Sequence, residues 1–268
     1  MSTNRMAAVQ MVSGPDIAQN LREAARLVAE AADRGARLVA LPEYFPLISG
    51  DETAKVRASE KDGAGPLQDF LRETAARHKI WLVGGSIPLE ASTPEKVRNC
   101  CLVHDDAGRR VARYDKIHLF GYQSGTERYN ESQTIEAGSQ IVIFDSPFGR
   151  VGLSICYDLR FPELYRAMGT VDLLVVPAAF THTTGQAHWE LLLRARAVEN
   201  LCYVLAAAQG GTHPSGRMTW GDSMAVDPWG AVLGRLPKGP GVVVAETDPA
   251  RIAELRASLP ALEHRRFS

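Results

Sequence analysis

Apolar positions along the chain switch between two periods. Residues 6–11 form a short apolar run that predicts a strand. From about Asp16 to Arg34 the spacing becomes helical, with Ile17, Leu21, Ala24, Ala25, Leu27 and Val28 on one stripe and Gly35 as the stop. A strand at 38–41 closes at Pro42, a helix is expected over 67–78, and a strand over 80–87. Strands at 99–104 and 109–114 flank the turn-forming segment 105–108, a hairpin pattern. The second half repeats the theme: strands at 141–144 and 151–155, a helix at 163–168, a strand at 173–176 ending at Pro177, a helix at 188–200 and a strand at 202–208. Late strands are expected at 222–226, 232–234 and 242–246, the first two joined by a hairpin turn at 227–230. Strands alternating with helices predict α/β layering, with helices outside a sheet core.

Composition leaves that picture unchanged and narrows the function. The 268 residues are 45% apolar and 23% charged, with a formal net charge of −1, as expected of a globular chain with a large core. No linker or low-complexity segment interrupts it, so one domain over residues 1–268 is expected. The near-neutral charge argues against nucleic acid as a partner. No apolar run reaches the roughly 18 residues of a membrane span, and the N-terminus lacks a signal-peptide shape. A cytoplasmic location is therefore expected. Cys100, Cys101, Cys156 and Cys202 show no CxxC spacing and the histidines are scattered, so no metal site is expected. Residues 251–268 are charged and polar, and read either as a solvated arm or as an arm that packs on a partner subunit.

Three polar residues share one context. Glu43, Lys116 and Cys156 each follow a predicted strand, and open α/β sheets bind ligands beyond the carboxyl ends of their strands. Taken singly, each has an ordinary reading: surface carboxylate, solvated lysine, buried thiol. Taken together they make chemistry. A carboxylate can accept a thiol proton and later activate water. An ammonium can stabilise a thiolate and then an oxyanion. The Tyr157 N–H, just past Cys156, could be a second oxyanion donor. His118, His188, Trp189 and Trp229 read as packing residues.

The words around these residues resemble the nitrilase superfamily of carbon–nitrogen hydrolases. They are AAVQ at 7–10, LPEY at 41–44, YDKIHLF at 114–120, SICYDLRFPE at 154–163 and DPWG at 227–230. The resemblance implies a four-layer αββα sandwich, stacking into homo-oligomers, and a Glu43–Lys116–Cys156 triad with a second carboxylate at Glu131, although Glu127 and Glu136 lie near it. It needs no metal or organic cofactor. Segments 156–163, 177–185, 187–197 and 202–209 resemble the branch of deaminated-glutathione amidases and ω-amidases. That implies a small carboxylated substrate, a 2-oxo acid amide. Arg160 is the candidate carboxylate clamp, against a structural pairing with Asp158 or Glu163. Thr181, Thr183 and Thr184 could add hydroxyls, and Phe180 and Tyr44 could wall the pocket; family position favours Phe180 and Thr184, though the threonines could instead cap a helix entering at Gln186. Rival readings are an ω-amidase, a nitrilase with the same triad, a Cys–His peptidase needing a histidine beside Cys156, and a binding module without chemistry.

Overall fold

The computed structural model describes residues 4–125 and 127–266. In chain order the strands are β1 Arg5–Gln10, β2 Leu38–Ala40, β3 Trp81–Val83, β4 Ile87–Glu90, β5 Val97–His104, β6 Arg110–Asp115, β7 Gly121–Ser124, β8 Glu127–Asn130 and β9 Ile143–Ser146. They continue as β10 Gly149–Leu153, β11 Leu173–Ala178, β12 Tyr203–Ala208, β13 Gly210–Thr212, β14 Met218–Trp220, β15 Ser223–Val226, β16 Val232–Leu236 and β17 Gly241–Glu246. The helices are α1 Ile17–Asp33, α2 Ala54–Arg57, α3 Pro66–His78, α4 Pro162–Ala167, α5 His182–Asn200 and α6 Pro249–Ser258.

Two sheets stack face to face. The first runs β17-β1-β2-β3-β5-β4, with β6 beside β5; the second runs β16-β15-β12-β11-β10-β9. Each has a parallel centre, β1-β2-β3 and β10-β11-β12, flanked by antiparallel strands. Period-2 alternation assigns the faces. In β1, Met6 and Ala8 face the second sheet, while Ala7 and Val9 face α1 and α3 through Leu27, Val28, Leu71 and Ala75. On the far side α4 and α5 cover the second sheet, with Trp189, Leu193 and Ala197 in its core. This is the four-layer αββα sandwich that the family resemblance implied.

Several boundaries differ from the expectation. The strand expected over 80–87 is two strands, because Gly85 takes φ +57°, and a side chain there would meet the Pro42 carbonyl. Pro177 does not end its strand, which continues to Ala178. Helix α5 starts at His182 rather than near 186, and of the threonines expected to cap it Thr181 is the N-cap. The terminal segment is not a solvated arm up to Ser258. It forms α6, whose Ile252 and Leu255 are buried. Arg256 ties α6 to Asp172 and to the carbonyls of Val171 and Leu201 in the same chain. Trp229 is 55% exposed rather than packed. The hairpin turn holding it forms as expected, with the Asp227 carboxylate accepting from the Trp229 and Ala231 N–H groups. Among the described residues, no helix is long and apolar enough to cross a membrane.

Candidate active site

Five chain segments meet where strands end. Glu43 lies three residues past β2, Lys116 one past β6, Cys156 three past β10, Ala179 one past β11 and Gln209 one past β12. Their side chains or N–H groups then point into the space between the sheets. The Gln209 amide donates to the Glu43 carbonyl and to Ser13 Oγ, fastening the Glu43 loop to the opposite sheet.

Lys116 is fully buried, and its Nζ donates to Glu43 Oε1 at 2.8 Å and to Glu131 at 2.8 and 3.0 Å. Glu43 is buried too. It accepts from Asn99 Nδ2 and from the Ala179 N–H, each at 2.9 Å. Glu131 accepts further from the Tyr44 hydroxyl and the Phe120 N–H, both at 2.7 Å. Burial disfavours the ammonium form of Lys116, but the two carboxylates outweigh it and hold its pKa above the ordinary lysine value. Burial likewise works to raise the Glu131 carboxyl, and Lys116 overcomes it, leaving that pKa below its usual value. Of the other acids nearby, Glu136 is bound to Ser92 and Arg98, and the Glu127 side chain lies outside the described residues.

Cys156 begins a 3₁₀ turn, Cys156–Arg160, with φ +52°, a left-handed conformation that costs a non-glycine residue energy. Tyr44, next to Glu43, is similarly strained at φ +54°. Burial, then the negative Glu43, push the Cys156 thiol well above its ordinary pKa; Lys116 and the Ala179 N–H pull the other way. The site thus favours the protonated sulfur at rest, with the Glu43 carboxyl nearby as a proton acceptor. Its elbow is held by Asp158, which is fully buried and accepts from the Ile155 and His118 N–H groups and the Tyr114 hydroxyl. The His118 ring also meets Asp158, at 2.7 Å. His118 is thus committed to holding the elbow.

A cavity of about 200 Å³ opens on Cys156, lined by Phe120, Tyr157, Arg160, Phe180, Thr181 and Thr184 among others. Arg160 pairs with neither Asp158 nor Glu163. Its guanidinium meets His188 Nδ1 at 3.3 Å and lies 5.4 Å from the centre of the Phe180 ring. His188 is therefore an exposed contact of Arg160, not a core residue. Phe180 is braced by Trp189 at 4.9 Å, and Tyr157 by Phe120 and Phe161 at 5.2 Å. Thr184 is buried with its hydroxyl 2.8 Å from that of Thr181, whereas Thr183 is exposed. Tyr44 does not wall this cavity. It faces a neighbouring cleft, with Leu47, Lys55 and Arg217.

Asn99, Ala179 and Arg217 were not singled out from the sequence, and Asp158 was named only as a partner for Arg160. Asn99 had a signal: it shares the inward face of β5 with Cys101 and Val103, a lone amide in an apolar stripe. Ala179 acts through its backbone and had none.

Residues 5–257 match the carbon–nitrogen hydrolase family. The deaminated glutathione amidase of Yersinia enterocolitica is 39% identical over 100% of this chain and 94% of its own length. The ω-amidase NIT2-B of Xenopus laevis is 38% identical over 99% of this chain and 96% of its own. Among solved structures, a Glu→Gln variant of an amidase from Nesterenkonia sp. AN1, carrying the acetamide moiety of fluoroacetamide on its active-site cysteine, superposes with a TM-score of 0.82. It is 27% identical, with 99% of this chain and 95% of that one covered. The chain thus belongs to the carbon–nitrogen hydrolase family, and it is a hydrolase of carbon–nitrogen bonds other than peptide bonds.

Proposed function

We propose that the chain is a cysteine-dependent amidase for a small 2-oxo acid amide, with deaminated glutathione as substrate and 2-oxoglutarate and cysteinylglycine as products. The observation that carries this reading is the buried Cys156 on a strained elbow, gathered at the strand ends with the buried Glu43–Lys116 pair, opening on a cavity whose Arg160 has no carboxylate partner among the described residues. The relatives named for this activity and for ω-amidase support the substrate class. The cysteine adduct in the Nesterenkonia amidase supports the role of the thiol.

The cycle follows from the contacts. Cys156 Sγ attacks the amide carbon while Glu43 takes its proton. Glu131 holds Lys116 in place through two bonds, and the longer, at 3.0 Å, is the donor that turns to the oxyanion. The Tyr157 N–H is the second donor, since early N–H groups of a helical turn lack partners within it. Glu43 passes the proton to the leaving nitrogen as the C–N bond breaks, giving a thioester. Water then attacks with Glu43 as base, and the thiolate leaves and is reprotonated. Arg160 holds the 2-oxo acid carboxylate, with Thr184 and the Phe180 and Tyr157 rings shaping the acyl cavity.

The test is a panel of deaminated glutathione, 2-oxoglutaramate, an N-carbamoyl amino acid and a simple nitrile. A marked preference for deaminated glutathione is expected. Equal rates for all would refute the specificity, and dominant 2-oxoglutaramate turnover would make the chain an ω-amidase. We further propose one domain, a cytoplasmic location, in keeping with four buried free cysteines, and a homo-oligomer. For the last, the support is the exposed apolar face of Leu191 and Val198 on α5, with Trp229 and Leu233 also exposed. Sedimentation at a single protomer mass would overturn it.

A further inference from the structure

The cleft beside the acyl cavity holds a second cation that the proposed cycle does not use. Arg217 stands just before β14, and its Nη2 donates to the Ala179 carbonyl at 3.4 Å. Its guanidinium lies 5.5 Å from the centre of the Tyr129 ring. Its Nε is buried with no hydrogen-bond partner, and among the described residues its contacts are the Ala179 carbonyl and the Tyr129 ring, with no carboxylate in an ion pair. A buried N–H without an acceptor is costly and calls for one. The cleft measures about 340 Å³, with Tyr44, Leu47, Ile48, Asp51 and Lys55 on its walls. The acids there are already engaged: Asp51 with Arg57 at 2.6 Å, and Glu52 with Lys55 at 2.7 Å. Arg217 is left as the unneutralised charge.

Two residues join this cleft to the reacting groups. Tyr44 lines it and donates to Glu131, and Ala179, whose carbonyl takes the Arg217 bond, donates its N–H to Glu43. The acyl cavity, at about 200 Å³, falls below the roughly 300–1,000 Å³ of pockets that enclose a whole drug-sized ligand. It suits an acyl group with one carboxylate on Arg160, not a dipeptide as well. The leaving group must therefore lie elsewhere.

We propose that Arg217 is the specificity-determining residue for the leaving amine: it holds a carboxylate carried on that amine, as at the end of a dipeptide. The inference rests on the proposed function and adds the side of the scissile bond opposite Arg160. An extended dipeptide sets its terminal carboxylate about 7 Å from the scissile nitrogen, well away from the acyl clamp. The enzyme then reads two carboxylates, one on each product.

The test uses 2-oxoglutaryl-cysteinylglycine and its C-terminal carboxamide, assayed on the wild type, Arg217→Gln and Arg217→Lys. The wild type is expected to prefer the acid by about 10- to 100-fold in kcat/KM, the scale of one charged hydrogen bond. Arg217→Gln should lose most of that preference and Arg217→Lys should keep part of it. The ratio is taken within one protein, so the fraction folded cancels. A preference that survives in Arg217→Gln, or is absent from the wild type while the acid is turned over, overturns the assignment and leaves the substrate reading standing. A wild type that hydrolyses 2-oxoglutaramate but neither peptide overturns both.

Discussion

Replacing Lys116 with methionine removes the positive charge between the buried Glu43 and the partly buried Glu131 while keeping most of the volume. Lys116 Nζ sits at 2.8 Å from both Glu43 and Glu131. Breaking one buried pair usually costs about 3–5 kcal/mol, because the remaining charge stays buried and uncompensated. Two pairs are broken here, but each carboxylate keeps two other donors: Asn99 and the Ala179 N–H for Glu43, Tyr44 and the Phe120 N–H for Glu131. The expected loss at pH 7.5 is therefore still about 3–5 kcal/mol. Its pH dependence carries more information. In the wild type the Glu131 pKa is held below its unfolded value near 4.5, so its contribution is complete above that pH and is lost as pH falls through the folded value. Without Lys116, burial dominates and the folded pKa rises above the unfolded one. Stability should then fall as pH climbs from about 4.5, over a range where the wild-type contribution of Glu131 is already level. Equilibrium urea unfolding, followed by tryptophan fluorescence between pH 5 and 8, reads both effects. A loss under about 1 kcal/mol, the scale of exposed pairs, or a variant whose stability does not fall relative to the wild type between pH 5 and 8, would show that Lys116 does not compensate the two carboxylates.

Other substitutions probe the parts around that centre. Asp158→Asn weakens the anchor that accepts from Ile155, Tyr114 and His118; kcat should fall with KM little changed and thermal stability should drop by about 1–3 kcal/mol, whereas an unaltered kcat would show that the elbow holds itself. Arg160→Gln should lower kcat/KM for 2-oxo acid amides by about 10- to 100-fold and leave an uncharged amide such as propionamide nearly unaffected, as steady-state kinetics will report. Gly85→Ala puts a methyl against the Pro42 carbonyl at φ +57° and should destabilise the fold by about 1–3 kcal/mol in chemical denaturation.

Much of the fold was legible because its strands and helices alternate in period. Ile17 to Val28 gave α1 to within a residue, and the Asp16 side chain caps it by accepting from Gln19. Breaks that depend on tertiary contact were not legible. Gly85 splits a strand because the Pro42 carbonyl occupies the space beside it, and α6 is held by Arg256 reaching Asp172, 84 residues away. The site divides in the same way. Glu43, Lys116 and Cys156 stand in sequence words that point to them, and the structure brings Lys116 onto Glu43 and sets the Cys156 thiol in their field. Glu131, less secure among three nearby acids, is the one that touches Lys116. Arg217 and Tyr44 are different, since nothing local to either reports the cleft they share.

In the proposed cycle Cys156 carries the acyl group as a thioester. Acid quenching of the wild type during turnover of deaminated glutathione, followed by intact-protein mass spectrometry, should find a 2-oxoglutaryl adduct, mapped by digestion to Cys156, and Glu43→Gln should form far less of it, because Glu43 acts in its formation. No adduct should form on Cys156→Ala, which should also have no turnover. An adduct elsewhere in the chain, or steady turnover by Cys156→Ala, would contradict the account.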